Sequence, residues 1–284
     1  MTHSFSSLDT SAKVGVSLKH CYYEEVLEDK PNINFFEVHS ENYMSEGGSS
    51  LAWLEAIRES YPISLHGVSL SLGSTQDLNK VHLKKLKNLI QKIDPFLVSD
   101  HLSWSIINGI YLNDLLPIPY TKESLKVMSD HIREAQDFLS RPLLIENPSS
   151  YLYFPKNEFS EPQFLTELVK KTGCKLLLDV NNIYVSSHNN QFDPNAYLEE
   201  LPLNCIEEIH LAGHNRDHKF YIDNHGCHVQ EEVWELYKKT LKRFGRISTL
   251  IEWDDHIPEL NVLLEEAEKA RKYQIEYGNY ETAA

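Results

Sequence analysis

The stretch that most constrains this chain is Arg141–Ser149. Leu143, Leu144 and Ile145 form an unbroken apolar run, the pattern of a parallel strand covered on both faces. The run stops at Glu146, and Asn147 and Pro148 follow, where a sheet ladder cannot continue. The same ending recurs. Leu176–Leu178 delivers Asp179, Ile206–Ile209 delivers His210, and Leu250–Ile251 delivers Glu252. A parallel barrel carries its chemistry at the C-terminal ends of its strands, so these endings predict a barrel rim lined with acids and imidazoles.

Taken in order, the chain supplies eight strand–helix alternations. Val14–Leu18 opens as a strand and His20 to Glu28 reads as a helix. Asn34–His39 is a second strand, Leu51–Ile57 has helical spacing, and Ile63–His66 is a third strand. From Asp77 to Ile93, Leu78, Val81, Leu86, Leu89, Ile90 and Ile93 share one helical face. Phe96–His101 is strand four. A loop with Asn108-Gly109 and Pro117–Pro119 precedes a helix from Thr121 to Leu139, with Thr121 and Ser124 as N-cap candidates. After the fifth strand a helix from Glu161 to Thr172 stops at Gly173. After the sixth, Ser186–Asn190 reads as a polar loop leading through Asp193-Pro194 into a short helix. A long loop, Ala212 to His228, separates strand seven from a helix at Glu231–Phe244, and a helix from Pro258 to about Tyr277 closes the chain. The connections are too short to reverse strand direction. The expectation is an α/β fold, one (β/α)8 TIM barrel over residues 1–284, with the polar leader 1–12 and the tail 278–284 fraying. A doubly wound open sheet is disfavoured, because no G-x-G-x-x-G turn follows the first strand.

At 284 residues the length suits such a barrel, which takes about 250. No apolar run approaches the roughly 18 residues of a membrane span, and the first dozen residues lack a signal-peptide pattern. Cys21, Cys174, Cys205 and Cys227 are scattered without a C-x-x-C pair, which argues against a zinc knuckle or a disulfide scaffold and points to a cytoplasmic protein with reduced thiols. Asp and Glu outnumber Lys and Arg by 42 to 27, a formal charge of −15, which counts against nucleic acid as a partner.

The strand-end candidates are His39, His66, His101, Glu146, Asp179, His210 and Glu252, and the strand-seven loop adds His214, Asp223 and His225. Singly each has an ordinary explanation: a satisfied histidine, a capping aspartate, or for Asp223–His225 an Asx-turn with a solvated imidazole. Together they favour a metal centre over a metal-free polar rim. Several carboxylates packed at one rim repel unless a cation neutralises them. Mixed imidazole and carboxylate donors without thiolates suit Fe, Mn or Zn. The donor count exceeds one ion's needs, so two or three metals are expected, with Glu146 central enough to bridge. His214, His218 and His228 read as surface or supporting residues, and Trp104 and Trp253 as pocket walls or plain packing. No nucleophile elbow or P-loop is present.

These motifs resemble a known family. Phe36–Tyr43 (FEVHSENY), Leu65–Val68 (LHGV), Ser99–Trp104 (SDHLSW), Leu144–Ser149 (LIENPS), Leu178–Asn182 (LDVNN), Ile209–His214 (IHLAGH), Asp223–Gly226 (DNHG) and Ile251–Trp253 (IEW) together are similar to the DUF692 (UPF0276) family, over about Val14 to Ala267. The resemblance implies a xylose-isomerase-like barrel and a multinuclear non-haem iron-dependent oxygenase that oxidises cysteine residues of ribosomally made peptides. Carried over motif by motif, it implies one iron at His66, His101 and Glu146, and a second at Glu146, Asp179, His210 and Glu252. It also implies a third ion at Asn182, Asp223 and His225. Glu146, Asp179, His66 and His101 would carry the chemistry, with two or three Fe ions as cofactor and Zn or Mn as possible substitutes on isolation. A Cys-containing precursor peptide and a partner protein that presents its leader are the implied partners. Competing classes are a divalent-metal sugar isomerase or an endonuclease IV-like phosphoester hydrolase, and a metal-storing barrel without activity. Against the isomerase, no strand-end lysine is visible.

Overall fold

The computed structural model describes residues 13–278 except 46 and 108, so the expectations of a frayed leader and of a frayed tail beyond Gly278 lie outside the described residues. Eight parallel strands close a barrel: β1 Val14–Ser17, β2 Phe35–His39, β3 Ile63–His66, β4 Leu97–His101, β5 Leu144–Glu146, β6 Lys175–Asp179, β7 Ile206–Leu211 and β8 Ser248–Ile251. Each pairs with its sequence neighbours, and β1 closes on β8. The register places the strand-end donors level. His39 stands beside His66, His101 beside Glu146, and Asp179 beside His210.

Alternation along each strand separates two interiors. Outward residues such as Val16, Phe36, Leu65, Val98, Ile145, Leu178, Ile209 and Ile251 join the main apolar core with the surrounding helices. Phe96, Leu97, Leu144 and Leu177 form a separate small cluster, and the Phe35 ring packs edge-on against Phe96 at 5.1 Å between centroids. Glycine is required at Gly15 because a Cβ there would lie 2.5 Å from the Phe35 ring. Apolar packing thus plugs one level of the barrel, and polar side chains fill the next.

The helices are α1 Tyr23–Asp29, α2 Ser49–Arg58, α3 Lys80–Ile93, α4 Lys122–Leu139, α5 Glu161–Thr172, α6 Val180–Asn190, α7 Pro194–Glu200, α8 Glu231–Phe244 and α9 Leu260–Tyr277. The starts of α3 to α7 follow side-chain caps. Asn79 accepts the N–H groups of Val81 and His82, so α3 begins three residues later than the apolar face from Asp77 suggests. Thr121 caps α4, and Ser160 with Gln163 forms a capping box on α5, which ends at Gly173 with φ 71°. On α9 the buried Gln274 amide donates to Ile247 O and Thr249 Oγ1, both at 2.8 Å, and to Lys13 O at 3.2 Å. The last helix thereby pins the seam where β1 meets β8.

Four local expectations are corrected. His20–Tyr22 is a 3-10 turn ahead of α1 rather than its first turn. The segment read as a loop at Asn108-Gly109 holds an antiparallel hairpin, Trp104–Ile107 with Ile110–Leu116, with Gly109 at φ 76°, while Asn108 lies outside the described residues. Ser186–Asn190 is not loop but the end of α6, because Asp179 caps a helix directly at the strand end and its Oδ1 accepts Asn182 N. The Ala212–His228 loop contains a small hairpin, Asn215–Asp217 with Phe220–Ile222. Among the described residues no helix is long and apolar enough to cross a membrane.

Candidate metal centre

His66 ends β3 and His101 ends β4, and both direct Nε2 at Glu146 on β5. Each Nε2 lies 3.1 Å from Glu146 Oε2. Two ligands about 2.1 Å from one ion stand roughly 3.0 Å apart at a right angle and 3.4 Å apart at a tetrahedral angle, so a 3.1 Å spacing is compatible with both donors serving one ion. The far nitrogens are fixed. His101 Nδ1 meets the Gly67 carbonyl at 3.0 Å, and a carbonyl only accepts, so that nitrogen carries a proton and Nε2 holds the lone pair once the ring is neutral. His66 Nδ1 meets Ser99 Oγ at 2.7 Å. Gly67 must be glycine, since a Cβ would come within 2.5 Å of the buried Asp100 carboxylate. Burial alone would lower the His101 pKa, but Glu146 and Asp100 push it up to about 9, while the two imidazoles hold Glu146 below the usual carboxylate range against its burial.

Asp179, His210 and Glu252 continue the cluster from β6, β7 and the end of β8, all within 4 % exposure. His210 Nδ1 lies 3.0 Å from Glu252 Oε2. Glu146, Asp179 and His210 converge as one donor group, and Asp179, His225 and Glu252 as another. Burial, then Asp223 and Glu146, push the Asp179 carboxyl well above its ordinary pKa. Asn182 sits one helical turn into α6. Its Nδ2 donates to Glu146 Oε1 at 3.3 Å and to Asn147 O at 3.1 Å, so the amide nitrogen is engaged there.

Asp223 and His225 face each other, with Nε2 2.7 Å from Asp223 Oδ1. His225 is 9 % exposed, so the solvated Asx-turn alternative does not hold. Its φ of 47° is a left-handed conformation that strains a non-glycine residue, and Asp254 Oδ2 at 3.1 Å from Nδ1 holds it there. Behind Asp223 runs a chain in which Asn181 Nδ2 donates to Asp223 Oδ1 at 2.7 Å and Asn181 Oδ1 meets His214 Nδ1 at 2.8 Å. His214 therefore supports the rim. His218 and His228 are exposed, and Trp104 and Trp253 pack on the core.

Sequence reasoning missed four carboxylates. Glu37 and Glu208 lie inside the barrel beneath His210, both buried. Ser64 Oγ bridges them at 2.9 and 3.2 Å, spanning from β3 to β7 across the barrel. The one available signal was an acid two residues before His39 and two before His210, positions that share a face along a strand. Asp254 and Asp100 were passed over because they sit next to more conspicuous residues. His39 stays half-buried, with Nε2 3.8 Å from Glu252 Oε1. It lines a pocket of about 360 Å³ with Lys19, Tyr23, Asn42 and Tyr43, whose floor includes Glu37 and Glu252. Lys19 corrects the absence of a rim lysine: it follows β1 by two residues and pairs with Asp254 at 2.6 Å.

The donors fit a cation. Asp179 Oδ2 and Asn182 Oδ1 are buried oxygens without a hydrogen-bond partner among the described residues, each a cost of about 1–3 kcal/mol if nothing satisfies it. A barrel whose rim gathers imidazoles and carboxylates in adjoining groups defines a class of TIM-barrel proteins with potential metal-binding His/Glu clusters. The fold agrees with solved structures. D-psicose 3-epimerase from Clostridium cellulolyticum superposes with a TM-score of 0.63 at 12% identity, covering 94% of this chain and all of that one. Endonuclease IV from Thermus thermophilus gives 0.61 at 16%, covering 93% and 99%. The family model described as RiPP precursor modification enzyme MbnB/TglH/ChrH matches residues 13–275, and this chain belongs to that family. It is 48% identical over 263 residues to a UPF0276 protein of Acaryochloris marina, covering 93% of this chain and 95% of that one, and 46% identical over 258 residues to a UPF0276 protein of Caulobacter vibrioides, covering 90% and 92%.

Proposed function

We propose that this chain is a multinuclear non-haem iron-dependent oxygenase that oxidises cysteine residues of a ribosomally made peptide in the cytoplasm. The observation that carries the reading is the sharing of Glu146 between two donor groups, His66/His101/Glu146 and Glu146/Asp179/His210. Adjoining donor groups with a common carboxylate would suit two cations. Glu252 would complete the second site, and Asp223 with His225 would serve a third. Asn182 holds Glu146 through Nδ2, and its Oδ1, which has no hydrogen-bond partner among the described residues, would be the atom it offers to the third ion. Iron bound in such N/O sites supplies redox chemistry with dioxygen as the oxidant, reduced to peroxide or water as two or four electrons leave the cysteine.

The chain's own residues divide the work. His66 and His101 bring no charge in their neutral forms, so a cation held by them with one carboxylate keeps positive charge to attract a thiolate. Ser99 and Gly67 O fix the orientation of those rings. The pocket beside His39 gives a peptide side chain a way to the cluster, and Lys19 sets a cation at its edge. Four free thiols, with Cys174 and Cys205 buried, support a reducing compartment. A partner that presents the peptide leader belongs to the same reading.

The test is coexpression with a short Cys-bearing peptide encoded beside the gene, followed by mass spectrometry of the peptide. An oxygen-dependent mass change at cysteine that disappears in Asp179→Ala supports the reading. An unmodified peptide, together with anaerobic metal-dependent turnover of a sugar or phosphoester, replaces it with the isomerase or hydrolase class.

A further inference from the structure

A groove of about 490 Å³ lies between the loop after β5, the start of α5 and the helices α6 and α7. The rings of Tyr120, Tyr153, Phe154, Phe159, Phe192 and Tyr197 line it. Leu152 and Tyr153, on the loop side, are 62% and 71% exposed. The charged residues that line the groove are all acids: Glu158, Glu161, Asp193 and Glu200. Among the described residues no lysine, arginine or histidine lines it. Aromatic faces beside carboxylates attract a cation, and exposed apolar side chains around them call for an apolar partner.

Two of the acids are already engaged. Glu158 accepts Lys122 N at 2.8 Å and lies 3.4 Å from its Nζ, and Asp193 caps α7. The other two meet neutral donors. Glu161 accepts the hydroxyls of Tyr120 at 2.5 Å and Tyr197 at 2.7 Å, and Glu200 accepts the Ser160 hydroxyl at 2.9 Å. Hydroxyls orient a carboxylate but leave its charge in place. Burial raises the Glu161 pKa, and a cation in the groove would hold it ionised.

The groove is continuous with the metal centre through α6. Asn182, Ser186 and Asn190 are spaced four apart and share a face; Asn182 donates to Glu146, while Ser186 and Asn190 line the groove. Ser150 N donates to Ser186 Oγ and Asn190 Nδ2 donates to Ser150 O, both at 2.8 Å, so the chain that leaves Glu146 is fastened along this face. Eight residues of helix rise about 12 Å, the reach of roughly four residues of extended peptide.

We propose that this groove docks the peptide substrate: a Lys or Arg side chain sits between the aromatic rings on Glu161 and Glu200, an apolar neighbour packs on Leu152 and Tyr153, and the cysteine lies about four residues away at the metal centre. The inference rests on the peptide-oxidising reading given above. Glu161 and Glu200 then act as specificity residues for a basic peptide segment, and the groove sets the spacing between that segment and the cysteine.

The test is fluorescence anisotropy on the full chain with two labelled probes, Ser-Gly-Gly-Gly-Arg-Phe and Ser-Gly-Gly-Gly-Glu-Phe. The Arg probe should bind about tenfold tighter, the worth of one charge-assisted contact. Glu161→Gln, which keeps the side-chain volume, should remove most of that preference, and Glu200→Lys, at an exposed position, should reverse it. Glu28→Lys, on α1 across the barrel, should change neither affinity at about 0.15 M salt, where charges are screened within about 8 Å. Equal binding of the two probes, or an unaltered preference in Glu200→Lys, overturns the proposal, and that variant decides it even where Glu161→Gln does not fold. An equal loss in Glu28→Lys also overturns it, because the net charge of the chain would then be the attraction. A dimer in sedimentation that Glu200→Lys disperses gives the groove to a second copy of the chain and overturns it too. With Zn(II) loaded, a probe with Cys in place of Ser should gain affinity; no gain overturns the substrate reading beneath the proposal and leaves the charge preference of the groove standing.

Discussion

Replacing Asp179 by Asn separates what the cluster does for folding from what it does for a cation. The backbone at this position is gripped independently of the side chain: Asn147 Oδ1 accepts Asp179 N, and Asn147 Nδ2 donates to Asp179 O, both at 2.9 Å. Asp179 Oδ1 caps α6, a task Asn performs about equally well, so the cap costs close to nothing. Oδ2 has no hydrogen-bond partner among the described residues, and the group is fully buried near Glu146 and Asp223. An amide there carries no charge to desolvate and can donate toward acceptors. The metal-free Asp179→Asn protein is therefore expected to match the wild type or to exceed it by up to about 3 kcal/mol. Metal reverses the order. At a free ion concentration 1,000 times Kd the wild type gains about 4 kcal/mol, or ~8–16 °C in Tm at roughly 2–4 °C per kcal/mol for a chain of this size. The variant should gain much less, having lost a ligand. Calorimetry on chelator-stripped and anaerobically Fe(II)- or Zn(II)-loaded samples measures both. A stripped variant about 2 kcal/mol less stable than the wild type, or a loaded variant with the full wild-type shift, refutes this account of Asp179.

Three further outcomes are expected. Glu146→Gln should lower metal content at two sites together, whereas His66→Ala should lower it mainly at one; elemental analysis showing full metal in Glu146→Gln and loss of both ions in His66→Ala refutes the bridge. With the His101 pKa at about 9 in the metal-free chain, the imidazole is protonated at pH 7.5 and must release that proton to bind. Affinity at the His66/His101/Glu146 site should then rise with pH up to about 9, and titration calorimetry in buffers of different ionisation enthalpy should detect a released proton. Gly67→Ala forces a methyl to within 2.5 Å of Asp100 Oδ2 and 3.1 Å of Ser99 O, so it should cost about 1–3 kcal/mol and loosen metal held by His101, read as a lower Tm and a weakened Zn(II) affinity.

Glu146, Asp179, His210 and Glu252 could be placed at one rim from sequence because each follows a short apolar run, and closing such runs into a parallel barrel levels their ends. Helix limits were legible where a cap residue carried them, as at Thr121 and Gly173. Asn-Gly at 108–109 held a hairpin signal that the surrounding loop reading overrode. What the sequence could not settle was direction. Glu207 and Glu208 are adjacent and identical, yet one faces solvent and the other is buried in the barrel, because the pleat decides and a bulge at Leu176–Leu177 sets the local register. Glu37 gained its position beneath His210 only when β2 and β7, far apart along the chain, met across the closed barrel. Which nitrogen each histidine turns to the cluster, and Asn182's attachment to Glu146, were also left to tertiary contacts. The sequence by itself determined which strands end in donors, since that is a matter of local order. Only the closed barrel decided which donors share a partner, since hydrogen bonds across it join residues with no relation along the chain.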